Sequence, residues 1–235
     1  MSKIGSIVGA AFILIQCNSL NGATLSYQEG DGGVYSNTHA SFVTSGSPNL
    51  NYGNGVKLQT WNTFQMRLSF IKFEDIFGIS TGQIPYFSVI NSATLQLRVI
   101  NNGTSKSDNL QAIHLLYTDF DESSVTWNTF GSIPGGVAGT DWDPIALDEF
   151  TPAIQGIDYI VDLTSAVQQW SNQAVPNYGI IIISSGDDLL ELRSDDTSDA
   201  PILSVTFNED NAIPEPFSVF LFSSGLIGLS LRRKR

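Results

Sequence analysis

Basic side chains are scarce in this 235-residue chain, with 11 Lys and Arg against 23 Asp and Glu and a formal net charge of −12. Five of the eleven, Lys3, Arg232, Arg233, Lys234 and Arg235, lie in the terminal segments, so residues 24–213 keep only six bases against 22 acids. Affinity for nucleic acid comes mainly from Lys and Arg displacing counterions condensed on phosphates, so this composition excludes nucleic acid as a partner. Cysteine occurs once, as Cys17, which removes internal disulfides, thiolate metal clusters and dithiol redox chemistry. The two histidines, His39 and His114, are far apart, and neither stands in a nucleophile motif of the Ser-His-Asp or Cys-His kind. Metal-protease, phosphate-loop, dinucleotide and nucleophile-elbow motifs are absent. A glycosidase needs only two carboxylates, and acids are plentiful, but abundance is not a signature. The chain reads as non-catalytic, with a polysaccharide lyase or hydrolase as the weakest alternative.

What is present is apolar: 42% of residues are hydrophobic and 14% charged, enough to bury a core and too apolar for disorder. Both ends read as addresses. Residues 1–23 have Lys3 ahead of the uncharged apolar run Ile4–Ile15, followed by small and polar residues, the order of a secretory signal peptide. An acyl anchor at Cys17 would set bulky Gln16 where a small residue belongs. At the other end Pro214-Glu215-Pro216 is followed by an apolar run, Phe217–Leu231, and then by Arg232-Arg233-Lys234-Arg235. This order resembles the PEP-CTERM sorting signal of Gram-negative bacteria. The resemblance implies transient retention in the inner membrane, cleavage near the triplet by an exosortase, and release to the cell surface or matrix. An apolar run of 15 residues rises only about 22 Å, short for a bilayer core of about 30 Å, and four bases fix the cytoplasmic side. The sequence thus predicts a signal helix at 1–23, a domain at 24–207, a polar linker at 208–213 and a transmembrane sorting helix within 214–235.

Between the ends no long stretch carries a 3.6-residue apolar period, while alternating or β-branched runs recur between Gly and Asn turns. The fold class is all-β. Strands are expected at 39–44, 56–60, 66–73, 93–100, 110–117, 157–163, 179–185, 189–193 and 202–207, with one short helix at 165–170 capped by Thr164. About 180 residues of short strands with long connections predict a two-sheet, jelly-roll-like β-sandwich rather than an immunoglobulin domain.

Seven segments in order, among them Ser45–Thr60, Met66–Glu74, Tyr117–Phe130, Val161–Trp170 and Leu190–Phe207, resemble the DNRLRE domain, a relative of bacterial carbohydrate-binding modules. The resemblance implies a β-sandwich found in secreted surface proteins, with some relatives gripping uronic-acid polymers such as alginate. A polyanion needs cationic side chains, and six bases against 22 acids favour a neutral glycan instead.

Sugar sites present aromatic faces, so the tryptophans are the first candidates. Trp127 and Trp170 read as packing residues, whereas Tyr52, Trp61 and Trp142 lie at turns or in a glycine-rich loop and are the expected ligand contacts. Acidic groups at Asp119-Asp121-Glu122, at Asp141-Asp143, and at Asp187-Asp188 with Asp195-Asp196-Asp199 admit two readings: solvated turns that keep an exported protein soluble, or oxygen ligands of a structural calcium ion. The last group is the expected metal site. Function therefore divides between an exopolysaccharide-binding surface protein and an adhesive matrix protein that contacts other proteins.

Overall fold

The computed structural model describes residues 22–30 and 35–208. Residues 1–21, the Pro214-Glu215-Pro216 triplet and Arg232, Arg233, Lys234 and Arg235 lie outside them, as do the two expected terminal helices. Among the described residues no helix is long and apolar enough to cross a membrane.

The strands are β1 (Ala23–Gln28), β2 (Thr38–Thr44), β3 (Lys57–Thr60), β4 (Arg67–Phe73), β5 (Val89–Arg98), β6 (Gln111–Leu115), β7 (Asp148–Phe150), β8 (Asp158–Asp162), β9 (Ile180–Ser184), β10 (Leu190–Arg193) and β11 (Ile202–Asn208). Every strand expected from the sequence is present, and β1 and β7 are additional. They form a four-stranded antiparallel sheet in the order β1-β11-β5-β8 and a five-stranded one in the order β2-β4-β9-β6-β7. A two-stranded ribbon, β3 with β10, accompanies them.

Alternation explains the four-stranded sheet. Ala93, Leu95 and Leu97 of β5 are buried together with Leu203, Val205 and Phe207 of β11, facing Ile71, Ile113, Leu115, Ile180 and Ile182 of the five-stranded sheet across the main core. Intervening residues such as Thr94 and Ser204 face outward, the period-2 pattern of a sheet with one wet face.

Along β2, β4 and β9 the five-stranded sheet is buried on both faces, which is why β9 is an unbroken Ile180–Ile183 run. Ile181, Phe70, Leu68 and Val43 point away from the main core into a second one, shared with Leu116, Phe120, Val125, Phe130 and Trp142. These last five come from the long connection between β6 and β7, which lies over the sheet as a cover. Asp141 holds that cover: its carboxylate accepts hydrogen bonds from the Ser132 and Val137 amides and from the Ser132 and Thr118 hydroxyls, at 2.8–2.9 Å.

The helix α1 (Thr164–Ser171) packs Ala166, Val167 and Trp170 into the main core. Thr164 is not its cap. Leu163 holds the cap position, the Thr164 hydroxyl instead accepts the Ala93 amide at 2.9 Å, and Asp162 accepts the Thr164 amide at 2.8 Å. At the entry to β9, Gly179 has φ of 83° and its added Cβ would stand 2.2 Å from the Ile71 carbonyl oxygen, so only glycine fits. Antiparallel pairing of β1 with β11 sets Ala23 opposite Phe207.

Candidate functional site

Trp61 and Arg67 form an antiparallel bridge, with Trp61 N donating to the Arg67 carbonyl at 3.2 Å and Arg67 N to the Trp61 carbonyl at 2.8 Å. The bridge closes a short loop over residues 62–66 between β3 and β4. At its tip Phe64 is 87% exposed, an unusual degree for a phenylalanine. Its ring centroid lies 6.5 Å from that of half-buried Trp61. The Arg67 guanidinium carbon sits 5.2 Å from the Trp61 ring centroid, a cation–π placement. Trp61 Nε1 donates to the Asp187 carbonyl at 2.6 Å, and Asn62 N to the Gly186 carbonyl at 2.9 Å. Two aromatic rings, a guanidinium and exposed amide and carboxylate groups thus share one edge, which is the chemistry of sugar recognition: ring faces for C–H surfaces and planar polar groups for hydroxyls.

A buried polar chain runs behind this edge. Arg67 donates to Gln59 Oε1, Gln59 Nε2 donates to Glu191 Oε1 at 2.6 Å, and Glu191 also accepts Lys57 Nζ, Asn102 Nδ2 and Ser105 Oγ. Burial alone would raise the Glu191 carboxyl, but Lys57, Asn102, Ser105 and Gln59 outweigh it and pull it down to about 2. The charged form of Glu191 is therefore the stable one, and it anchors Gln59 and through it the guanidinium over Trp61.

A second constellation lies apart from the first. Glu122, from the cover, and Asp195 and Asp196, from the turn after β10, each bring a carboxylate oxygen within 4.8 Å of the others. His39 bridges Glu122 and Glu74 at 3.1 and 3.3 Å, and Lys72 spans Glu74 and Asp119 at 2.6 and 2.8 Å. The turn at residues 51–55 wedges against Glu122, whose carbonyl accepts Asn51 Nδ2 at 2.7 Å.

A family model for carbohydrate-binding modules of family 96 matches residues 34–207, about three quarters of the chain. The chain belongs to carbohydrate-binding module family 96. Among curated proteins none matches it.

Within the family 96 module the expected site residues separate. Trp61 stands at the aromatic edge. Trp142 does not present its ring to solvent: it is 9% exposed and stacks on Phe130 in the second core, because the glycine-rich loop folds back under its own aromatics. Tyr52 is half-buried and stacked on Phe42 with centroids 4.1 Å apart, which fixes the 51–55 turn. The five aspartates expected as one metal group are divided by β10. Asp187 and Asp188 lie beside Trp61, where Asp188 Oδ2 accepts the Asp108 amide at 2.8 Å. Asp195 and Asp196 are at the strand's other end, and Asp199 faces Arg193 at 3.9 Å. Phe64 and Arg67 were not expected as site residues, and Glu122 was grouped with Asp119 and Asp121 instead of with Asp195 and Asp196. The only signal for the first two was an aromatic and a base flanking a strand end already marked by Trp61.

Proposed function

We propose that this module binds a neutral exopolysaccharide at the edge formed by Trp61, Phe64 and Arg67, without catalysis. Family membership supports carbohydrate as the ligand class. The observation that carries the location is the 87% exposed Phe64 beside Trp61, since an aromatic left in water gains nothing until a ligand covers it. Neutrality follows from charge: Arg67 shares the edge with Asp187 and Asp188, and the surrounding domain is strongly acidic, so a polyuronate would be repelled. The Pro-Glu-Pro triplet, apolar run and basic tail support export, transient inner-membrane retention and exosortase release as the route by which the module meets extracellular polysaccharide.

Native electrophoresis of the full chain through gels cast with the host's neutral exopolysaccharide, and in parallel with alginate, tests the binding. Retardation by the neutral polymer alone is expected. Retardation by alginate alone overturns neutrality, and no retardation in either gel overturns the glycan reading in favour of a protein-contacting matrix role. Mass spectrometry of the released protein tests the route, with a new C-terminus near Pro214–Pro216 as the expected result.

A further inference from the structure

Glu122 and the Asp195–Asp196 pair come from distant parts of the chain, yet their three carboxylate oxygens lie within 4.8 Å of one another. Two oxygens held by one calcium ion at about 2.4 Å can be at most about 4.8 Å apart, so the spacing fits a single coordination sphere. A second observation is independent of spacing: Asp195 is only 6% exposed, and its Oδ1 has no hydrogen-bond partner. Among the described residues no Lys, Arg or His lies within ion-pair distance of Asp195 or Asp196. A buried carboxylate without donor or counter-charge is strongly disfavoured as the anion, and a bound cation is what would hold it ionised at pH 7.

We propose that Glu122, Asp195 and Asp196 bind a calcium ion. The donor set is oxygen only, which suits a hard cation and not zinc or copper. The positions left over fall to water, which reaches the group from two clefts: one of about 400 Å³ lined by Glu29, Asp195, Asp196 and Ser198, and one of about 260 Å³ lined by His39, Asp121 and Glu122. Glu122 is already oriented for the role, its Oε1 accepting the Ala40 amide at 3.3 Å and its Oε2 facing His39 Nδ1. The ion would staple the cover over the five-stranded sheet to the turn between β10 and β11. This site is separate from the aromatic edge, and the inference stands whether or not that edge binds sugar.

The test is the melting temperature of the full chain at pH 7 in EDTA, in calcium and in magnesium, together with terbium luminescence titrated against calcium. Calcium is expected to raise the melting temperature by several degrees and magnesium by less, with terbium occupying one site that calcium empties. Asp196→Asn, at an exposed position, should weaken calcium binding about tenfold or more. Asp195→Asn should melt higher than the native chain in EDTA, because the cost of burying an uncompensated carboxyl is gone, and should lose the calcium increment. Should Asp195→Asn not fold, Asp196→Asn alone decides. Asp187→Asn and Asp188→Asn should keep the increment in full. Equal melting of the native chain in EDTA and calcium, or an increment that survives both Asp195→Asn and Asp196→Asn, overturns the proposal.

Discussion

Asp141 takes both the backbone amide and the hydroxyl of Ser132, one on each carboxylate oxygen, at 2.8 Å apiece. With the Val137 amide and the Thr118 hydroxyl on the same carboxylate, this pairing gathers the middle of the cover onto a side chain that is itself buried. Burial pushes the Asp141 carboxyl up, yet the Ser132 and Thr118 hydroxyls and the Val137 and Ser132 amides together bring it below its ordinary value. Asp141→Ala strands four donors, and a loss on the order of 3 kcal/mol is expected in denaturant unfolding of the whole chain. A loss below about 0.5 kcal/mol would mean that the cover is held by its aromatics alone.

Glu191 sets the acid limb of stability. Its folded-state carboxyl titrates at about 2 against an ordinary value of 4.5. A group depressed on folding contributes stability that is complete above the unfolded value and vanishes as pH falls through the folded one. The Glu191 contribution to the melting temperature should therefore hold steady down to about pH 5 and be lost between roughly pH 4.5 and 2, with Asp141 adding to the same limb. Glu191→Gln should melt lower at pH 7 and show a shallower fall in that window. An equally steep fall in the variant would assign the limb to other carboxylates.

Retention on glycan and stability should separate between the exposed and the buried aromatic side chains. Phe64→Ala is expected to weaken retention by about threefold to tenfold, the worth of one aromatic contact, while leaving the melting temperature unchanged. Trp142→Ala should destabilise by about 3–5 kcal/mol through the cavity left in the second core. Trp142→Phe, if it folds, should bind glycan as the native chain does. Loss of binding in folded Trp142→Phe would place the sugar against the cover instead of the β3–β4 loop.

Gly179→Ala combines an unfavourable φ with a clash against the Ile71 carbonyl and the Lys72 backbone. The expected cost exceeds about 2 kcal/mol, read from urea unfolding, because backbone on both sides is fixed in β4 and β9.

The strands and the helix were legible because their apolar periods are local properties. What the sequence concealed was long-range. Ile180–Ile183 announced that both faces of β9 are buried, but not that the segment carrying Phe120, Phe130 and Trp142 supplies the second face. Glycines at 131, 135, 136 and 139 suggested an exposed loop around Trp142, whereas they allow tight turns that fold the indole inward. The acidic groups misled for a geometric reason: four residues of β10 separate Asp188 from Asp195 by roughly 13 Å or more of strand, while Glu122 arrives from elsewhere to join the latter. β1 was missed because it abuts the leader-like segment, and β7 because three residues are too few to show a period. Trp61 was found since a tryptophan beside a turn residue is a local signal, and Phe64 needed the hairpin to be seen.

Ala23 lies opposite Phe207 at one end of the β1–β11 pair, so the polypeptide enters and leaves the module at the same corner. A load pulling those two points apart meets the hydrogen bonds of that pair one after another, as in a zipper, and never all together as in shear. The module is then mechanically weakest along the line joining its two attachments. Held by a single attachment it carries no such load, and the opposite end of the sandwich swings free as a whole.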